Sequence, residues 1–313
     1  MKKIIWIVIA AALLIGLTGC DATTTSQSEL RAVLESLVLA DSTIAINGLE
    51  DGSPRPAEYD VEGGLAKAAD TLPYNFRTIR FGRRFMAQPE REVELTIAPD
   101  EQSAEALVMT TVSGVFFVVT IDTVNHVPVD TVIKPFVQTT RQKLRLEKFR
   151  ATSNPRRNWR VTALTPILGA TANNLIAIGQ VSITGSNVNI TLSNPVADSL
   201  LNIWFERADL PVLGPRQIFG VTMTVTNPDP FIYAPGELAA VHYGINPQVL
   251  KFRRILSDPE NDDTFTGRFT TANQGARMRT LFLDVIDLRS IFNTEAPFDA
   301  TFWAIPYRVR TRP

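Results

Sequence analysis

The sequence predicts an α+β domain, with a helix packed in a curved antiparallel sheet, followed by an all-β domain built as a sandwich. Three observations predict it. Apolar residues recur at helical spacing only in the first part of the chain, most clearly at Leu30, Val33, Leu34, Leu37 and Val38. From Arg77 the period falls to two, in runs long enough to bend. Beyond residue 173 about eight short strands alternate with turn residues, the pattern of stacked antiparallel sheets.

In the first domain, residues 29–168, Glu29–Ile46 is the amphipathic helix and Ser28 its N-cap. Gly48 and Glu50-Asp51-Gly52-Ser53-Pro54 end it with turn chemistry. A weaker helical pattern covers Tyr59–Thr71. Val93, Leu95 and Ile97 alternate with Glu92, Glu94 and Thr96 as a half-buried strand. Ala104–Ile121 forms one long strand, with Ser113-Gly114 marking a bulge or sharp bend. The strand Phe136–Phe149 sets Leu144 and Leu146 on one face and Arg141, Lys143 and Arg145 on the other. Trp159, Val161 and Ala163 make the last strand, and Leu168-Gly169-Ala170-Thr171-Ala172-Asn173 looks like a small-residue linker.

In the second domain, residues 173–313, strands are expected at Ile176–Ile183, Val188–Leu192, Phe219–Thr226, Leu238–Tyr243, Leu250–Leu256, Thr264–Thr270, Met278–Ile286 and Thr301–Tyr307. Trp303 and Ile305 face inward, and Asp198–Gln217 fits either a strand or a packed loop.

The chain opens with Met1-Lys2-Lys3 and an uncharged apolar run, Ile4–Leu17, short for a ~30 Å hydrocarbon core. Leu17-Thr18-Gly19-Cys20 follows, and Cys20 is the only cysteine. This motif resembles the lipobox of bacterial lipoproteins. The resemblance implies that residues 1–19 are a signal peptide, that cleavage precedes Cys20, and that the thiol carries a diacylglyceryl group. Residues 20–28 would then tether the folded part to a membrane. Asp21 resembles the signal that keeps such proteins on the inner membrane facing the periplasm, with the outer membrane as the alternative.

The order of elements in residues 29–168 resembles the cystatin-like and nuclear-transport-factor-two-like superfamily. That likeness implies a cone between helix and sheet, which in some members is an isomerase or dehydratase pocket. From Phe219 the second domain resembles a bacterial immunoglobulin-like sandwich, without the paired cysteines of that family.

Composition narrows the function classes. Hydrophobic residues make up 45% of the chain, enough for burial to hold it without disulfides. Removing Lys2 and Lys3 leaves 29 basic against 32 acidic side chains, a net −3. Near-neutrality and export argue against nucleic acid. Charge is uneven, however: residues 134–160 hold 9 basic groups and 1 acidic, residues 21–70 hold 3 and 10. Arg141, Lys143, Arg145, Arg156, Arg157 and Arg160 make a basic face that is either simply solvated or turned to anionic lipid or an acidic partner. Asp258, Glu260 and Asp262 alternate in a loop that is either a solvated hairpin or a calcium ligand set. His126 falls in a loop and His242 on a strand.

No nucleophile elbow, zinc-binding helix motif or phosphate loop is present, and the resemblance to the lipobox implies that the lone thiol is consumed by the lipid. The sequence therefore points to a non-enzymatic, cofactor-free envelope lipoprotein that binds or scaffolds an envelope protein. A small-molecule or isomerase-like pocket in the first domain is the alternative. Replacing Cys20→Ala is expected to abolish incorporation of an alkyne-tagged fatty acid, checked by in-gel fluorescence; a variant that still labels would refute the anchor.

Overall fold

The computed structural model describes residues 26–310 apart from 42–43, 45, 52–54, 57–78, 123, 126, 173, 187, 195, 197, 233–234, 247–249 and 272–274. The Leu17–Cys20 motif, the Tyr59–Thr71 pattern and His126 lie outside the described residues.

Helix α1 spans Gln27–Leu39, shorter than its apolar pattern, and its N-cap is Ser26 instead of Ser28. The cap is reciprocal: Glu29 N donates to Ser26 Oγ at 3.2 Å, and Ser26 N donates to Glu29 Oε2 at 3.0 Å. Beyond Leu39 the apolar residues Ile44, Ile46 and Leu49 are all buried, Leu49 in a short 3-10 turn over Asn47–Leu49. They continue into the core without continuing the helix.

Strands β1 (Arg55–Pro56), β2 (Ile79–Phe85), β3 (Glu90–Ile97), β4 (Ser103–Ile121), β5 (Pro128–Lys148), β6 (Trp159–Leu164) and β7 (Ile167–Thr171) follow. The β4–β5 hairpin is their spine. Its register is continuous from Ser103↔Glu147 to Thr120↔Asp130, with a shift only beyond Thr120. Gly114 therefore makes no bulge. It stands where the other neighbour of β4 changes from β3, paired through Thr111, to β2, paired from Gly114. A Cβ there would lie 2.5 Å from the Arg84 carbonyl oxygen and 2.6 Å from the Phe136 ring, so the crossing needs glycine.

β5 starts eight residues earlier than its sequence pattern, at Pro128 instead of Phe136. Among the described residues its stretch before Gln138 has only β4 beside it, and an edge tolerates Pro128 and Pro135.

The remaining elements are β8 (Ala177–Gly185), β9 (Val188–Ser193), β10 (Phe205–Glu206), β11 (Val212–Leu213), β12 (Ile218–Thr226), β13 (Glu237–Asn246), β14 (Leu250–Ile255), β15 (Thr264–Thr270), β16 (Gly275–Asp287), α2 (Arg289–Phe292) and β17 (Ala300–Val309). The ambiguous segment Asp198–Gln217 resolves into a 3-10 turn, Ser199–Asn202, and the two-residue strands β10 and β11.

One antiparallel path runs β1-β2-β4-β5-β7-β17-β16-β13-β14, and a second sheet runs β15-β12-β8-β9. β7 pairs with both β5 and β17, so hydrogen bonding is unbroken through Leu168–Thr171, where the sequence suggests a linker. Small size there serves packing instead: a Cβ on Gly169 would stand 2.2 Å from the Phe302 ring.

The large sheet curls into a half-barrel, and β2 comes back toward β14, where Arg253 Nη2 donates to the Phe81 carbonyl at 3.0 Å. Its concave side holds α1, whose Leu30, Leu34 and Val38 pack on Leu95, Ala106, Leu144, Leu146, Trp159 and Val161. The cone between helix and sheet is thus filled with apolar side chains. On the other face of β13, β16 and β17, Val241, Leu283, Trp303 and Ile305 share a core with Val181, Val221, Met223 and Phe265 of the four-stranded sheet. Trp303 is buried, as its place in the pattern predicts. Truncating Leu34→Ala should cost about 2–5 kcal/mol by denaturant unfolding, because Leu34 is fully enclosed. Leu39→Ala, at a side chain 42% exposed, should cost under about 0.5 kcal/mol.

Candidate functional site: a buried ion cluster and a basic rim

Alternation along β5 turns Arg141, Lys143 and Arg145 to its outer face and Leu144 and Leu146 to its inner face. The three cations are not a free basic surface. Arg141 forms a two-pronged pair with Asp198, both contacts at 2.5 Å, and Lys143 pairs with Glu105 at 3.1 Å. Arg145 pairs with Glu206 at 3.2 Å and lies 4.5 Å above the Trp204 ring. The segment 198–206 therefore supplies the carboxylates for Arg141 and Arg145, and β4 supplies that for Lys143. Arg156, Arg157 and Arg160 sit elsewhere, on and after the loop joining β5 to β6; all three are exposed, and Arg160 lies 5.0 Å above the Phe149 ring.

In the Asp258–Asp263 loop two of the alternate carboxylates close turns. Asp258 accepts from Asp262 N at 3.2 Å and from Asp263 N at 2.9 Å; Asp262 accepts from Thr264 N at 3.0 Å. Asn261 and Asp263 take positive φ of 55° and 63° to make the loop. Glu260 is exposed. Among the described residues no three metal-ligating side chains converge, here or elsewhere.

Sequence periodicity did not single out the densest charge cluster, which lies inside the half-barrel. Asp284 on β16 accepts from Arg83 Nη2 at 2.5 Å and lies 3.0 Å from His242 Nε2, all three side chains at most 4% exposed. Asp51, after the 3-10 turn, accepts from Arg83 N at 3.0 Å and lies 3.4 Å from Arg253 Nη1. The Arg253 guanidinium lies 4.0 Å above the Phe81 ring, and that of Arg83 lies 5.3 Å from Phe298. Phe116 stacks on Phe298 and Phe136 packs tilted against it, completing an apolar wall.

Burial alone would raise the Asp284 carboxyl; the Arg83 charge and the His242 hydrogen bond overcome it and hold it at about 2. Glu237, beside Asn227 on the face of β13 that Val241 shares, goes the other way. Burial, reinforced by Asp263, Asp287 and Asp258, pushes it up to about 7 against the hydrogen bond from Asn227. His242 is thus a bonded strand residue, as its position predicts.

Comparison with protein-family models, curated proteins and solved structures finds no match in any of the three. The site must therefore be judged by its chemistry. Arg83, Asp284, His242, Arg253 and Asp51 pair with one another across β2, β13, β14, β16 and the 47–51 segment, which is the work of a clamp. Arg83 Nη1 and Asp284 Oδ1 are buried without a hydrogen-bond partner among the described residues. The signal for the cluster was present in the sequence. Asp284 is a lone carboxylate within Leu281-Phe282-Leu283-Asp284-Val285-Ile286, and Arg83 falls on the inward phase set by Ile79 and Phe81.

The folded Asp284 carboxyl titrates near 2, below the ~3.9 of an unfolded chain. Its stabilisation is therefore complete above about pH 4 and lost as pH falls toward 2. Acid unfolding monitored by tryptophan fluorescence should show that loss. Arg83→Met should weaken the acid dependence and, by leaving Asp284 buried without its cation, cost about 3–5 kcal/mol at neutral pH.

Proposed function

We propose that this chain is a membrane-anchored bacterial envelope lipoprotein, a non-enzymatic module that binds or scaffolds an envelope protein. The anchor reading rests on Leu17-Thr18-Gly19-Cys20 and the single thiol. The scaffold reading rests on one structural observation, an apolar edge. Val129, Ile133 and Val137 stand 68%, 63% and 47% exposed on the outer face of β5. They occupy the stretch that, among the described residues, has β4 alone beside it. An open strand edge with apolar side chains is a template for a second polypeptide.

The filled space beneath α1 supports the scaffold reading over a pocket, because Leu30, Leu34 and Val38 occupy the position a ligand would take. In fold terms we infer a cystatin-like arrangement for α1 and its sheet. We also infer an immunoglobulin-like sandwich for the four-stranded sheet with β13, β16 and β17. Their shared core of Val241, Leu283, Val221 and Phe265 supports the latter.

One observation favours the alternative, a small-molecule site in the first domain: Gln138 is fully buried, and neither its Oε1 nor its Nε2 has a partner among the described residues. A polar ligand or water would satisfy it. The two readings separate in one experiment. A photo-crosslinking residue at position 133 should capture a discrete envelope protein in cells, and Ile133→Glu should reduce its co-purification with the tagged chain. No captured protein and no effect of Ile133→Glu, together with a small molecule retained in native mass spectrometry, would replace the scaffold with the pocket.

A further inference from the structure

The path of α1 shows which end of the protein its N-terminal tether leaves from. Arg31 Nη2, in the first turns of the helix, donates to the Leu95 carbonyl at 3.2 Å, close to the turn joining β3 to β4. Lys148 N donates to Gln102 O in that turn, and Phe149 N donates to Asn158 O, both at 2.9 Å. The start of α1, the β3–β4 turn and the β5–β6 loop therefore share one end of the sheet, and α1 packs on the Pro155–Arg157 turn of that loop. The other end of the helix points away, where Asp41 pairs with Arg207.

Residues 149–160 hold four arginines and no carboxylate. Phe149, 42% exposed, has the Arg150 and Arg160 guanidinium groups 5.2 and 5.0 Å from its ring. Arg156 and Arg157 are exposed on the turn and, among the described residues, make no ion pair, unlike Arg141, Lys143 and Arg145. The loop is stiff. Asn158 Oδ1 accepts from Thr152 N and Oγ1 at 2.8 and 2.7 Å, Asn158 Nδ2 donates to Thr152 O at 2.9 Å, and Asn154 caps the turn through Arg156 N. Acidic groups at the same end are Asp100 and Glu101 in the β3–β4 turn, Glu147 opposite Arg160, and Glu29, which is held in the helix cap.

From Cys20 to Ser26 is six residues, a reach of at most about 22 Å. A lipid on Cys20 thus holds this end within that distance of the headgroups, and charge attraction takes over inside a Debye length of about 8–10 Å.

We propose that the Phe149–Arg160 loop docks on the anionic phospholipid headgroups of the membrane that holds the Cys20 lipid, so that the apolar β5 edge points away from the bilayer. This rests on the anchor reading. The β4–β5 turn is the opposite end of the same hairpin, since β4 runs 19 residues, a contour of about 60 Å.

Lipidation consumes the native thiol, so Ser153→Cys introduces a unique labelling site in the loop, and Val124→Cys does so at the far turn. A fluorophore at each is read in proteoliposomes carrying a headgroup-nitroxide lipid, in phosphatidylcholine alone or mixed with phosphatidylglycerol. Quenching at position 153 should rise in the anionic vesicles, fall back with added salt, and lose its dependence on phosphatidylglycerol in Arg156→Glu/Arg157→Glu. Position 124 should stay unquenched. Equal quenching at 153 in both vesicle types, or a charge-reversed pair that behaves like the parent, overturns the proposal. So does capture of an acidic protein by the loop in place of lipid. Intact mass separates the two readings. A protein without acyl groups on Cys20 defeats the anchor, while the same quenching comparison, with protein added to preformed vesicles, still judges the loop.

Discussion

The hydrogen-bonded ladder between Ser103–Ile121 and Pro128–Lys148 is the constraint on which the rest of the structure depends. Each strand of this hairpin has two successive neighbours on its other side: β3 then β2 along β4, and β7 then β6 along β5. β17, β16, β13 and β14 are reached through β7, while the short β10 pairs with β6. Period-two alternation then decides what each face does. The inner face of β5 carries Phe136, Leu144 and Leu146 into the core, while the outer face carries apolar Val129, Ile133 and Val137 at one end and paired cations at the other.

Curling brings polar groups from distant strands into a space lined by phenylalanine. A charge buried there is costly unless another charge and hydrogen bonds meet it. Arg83, Asp284, His242, Arg253 and Asp51 meet that demand for one another. Such a cluster is weak evidence for added stability over an apolar core, but it is exacting about geometry: a slip of β2 or β16 by one residue would leave both charges of the Arg83–Asp284 pair alone. It thus selects one register of a long, curved sheet.

The molecule has two unlike ends. The start of α1 and the arginine-rich β5–β6 loop share one of them, and the apolar edge of β5 runs toward the other. A charged end and an apolar edge are set apart by the length of the β4–β5 hairpin.

Much of the secondary structure was legible because local patterns report local environment. The strands β8, β9 and β12 to β17 follow from alternation and turn residues, as does the inward place of Trp303, whereas β10 and β11 lie in the segment whose pattern is ambiguous. Three features were misread for one shared reason: their cause lies in partners far along the chain. Gly114 marks a change of neighbour instead of a bulge, Gly169 makes room for Phe302 instead of loosening a linker, and Arg141, Lys143 and Arg145 face carboxylates 38 to 61 positions away. By itself the sequence determined the helix and most of the strands, since these depend on neighbours within a few residues. Only the tertiary structure decided which arginines are neutralised, which are free, and that Asp284 and Arg83 meet, because the energy of a charge depends on what surrounds it in space.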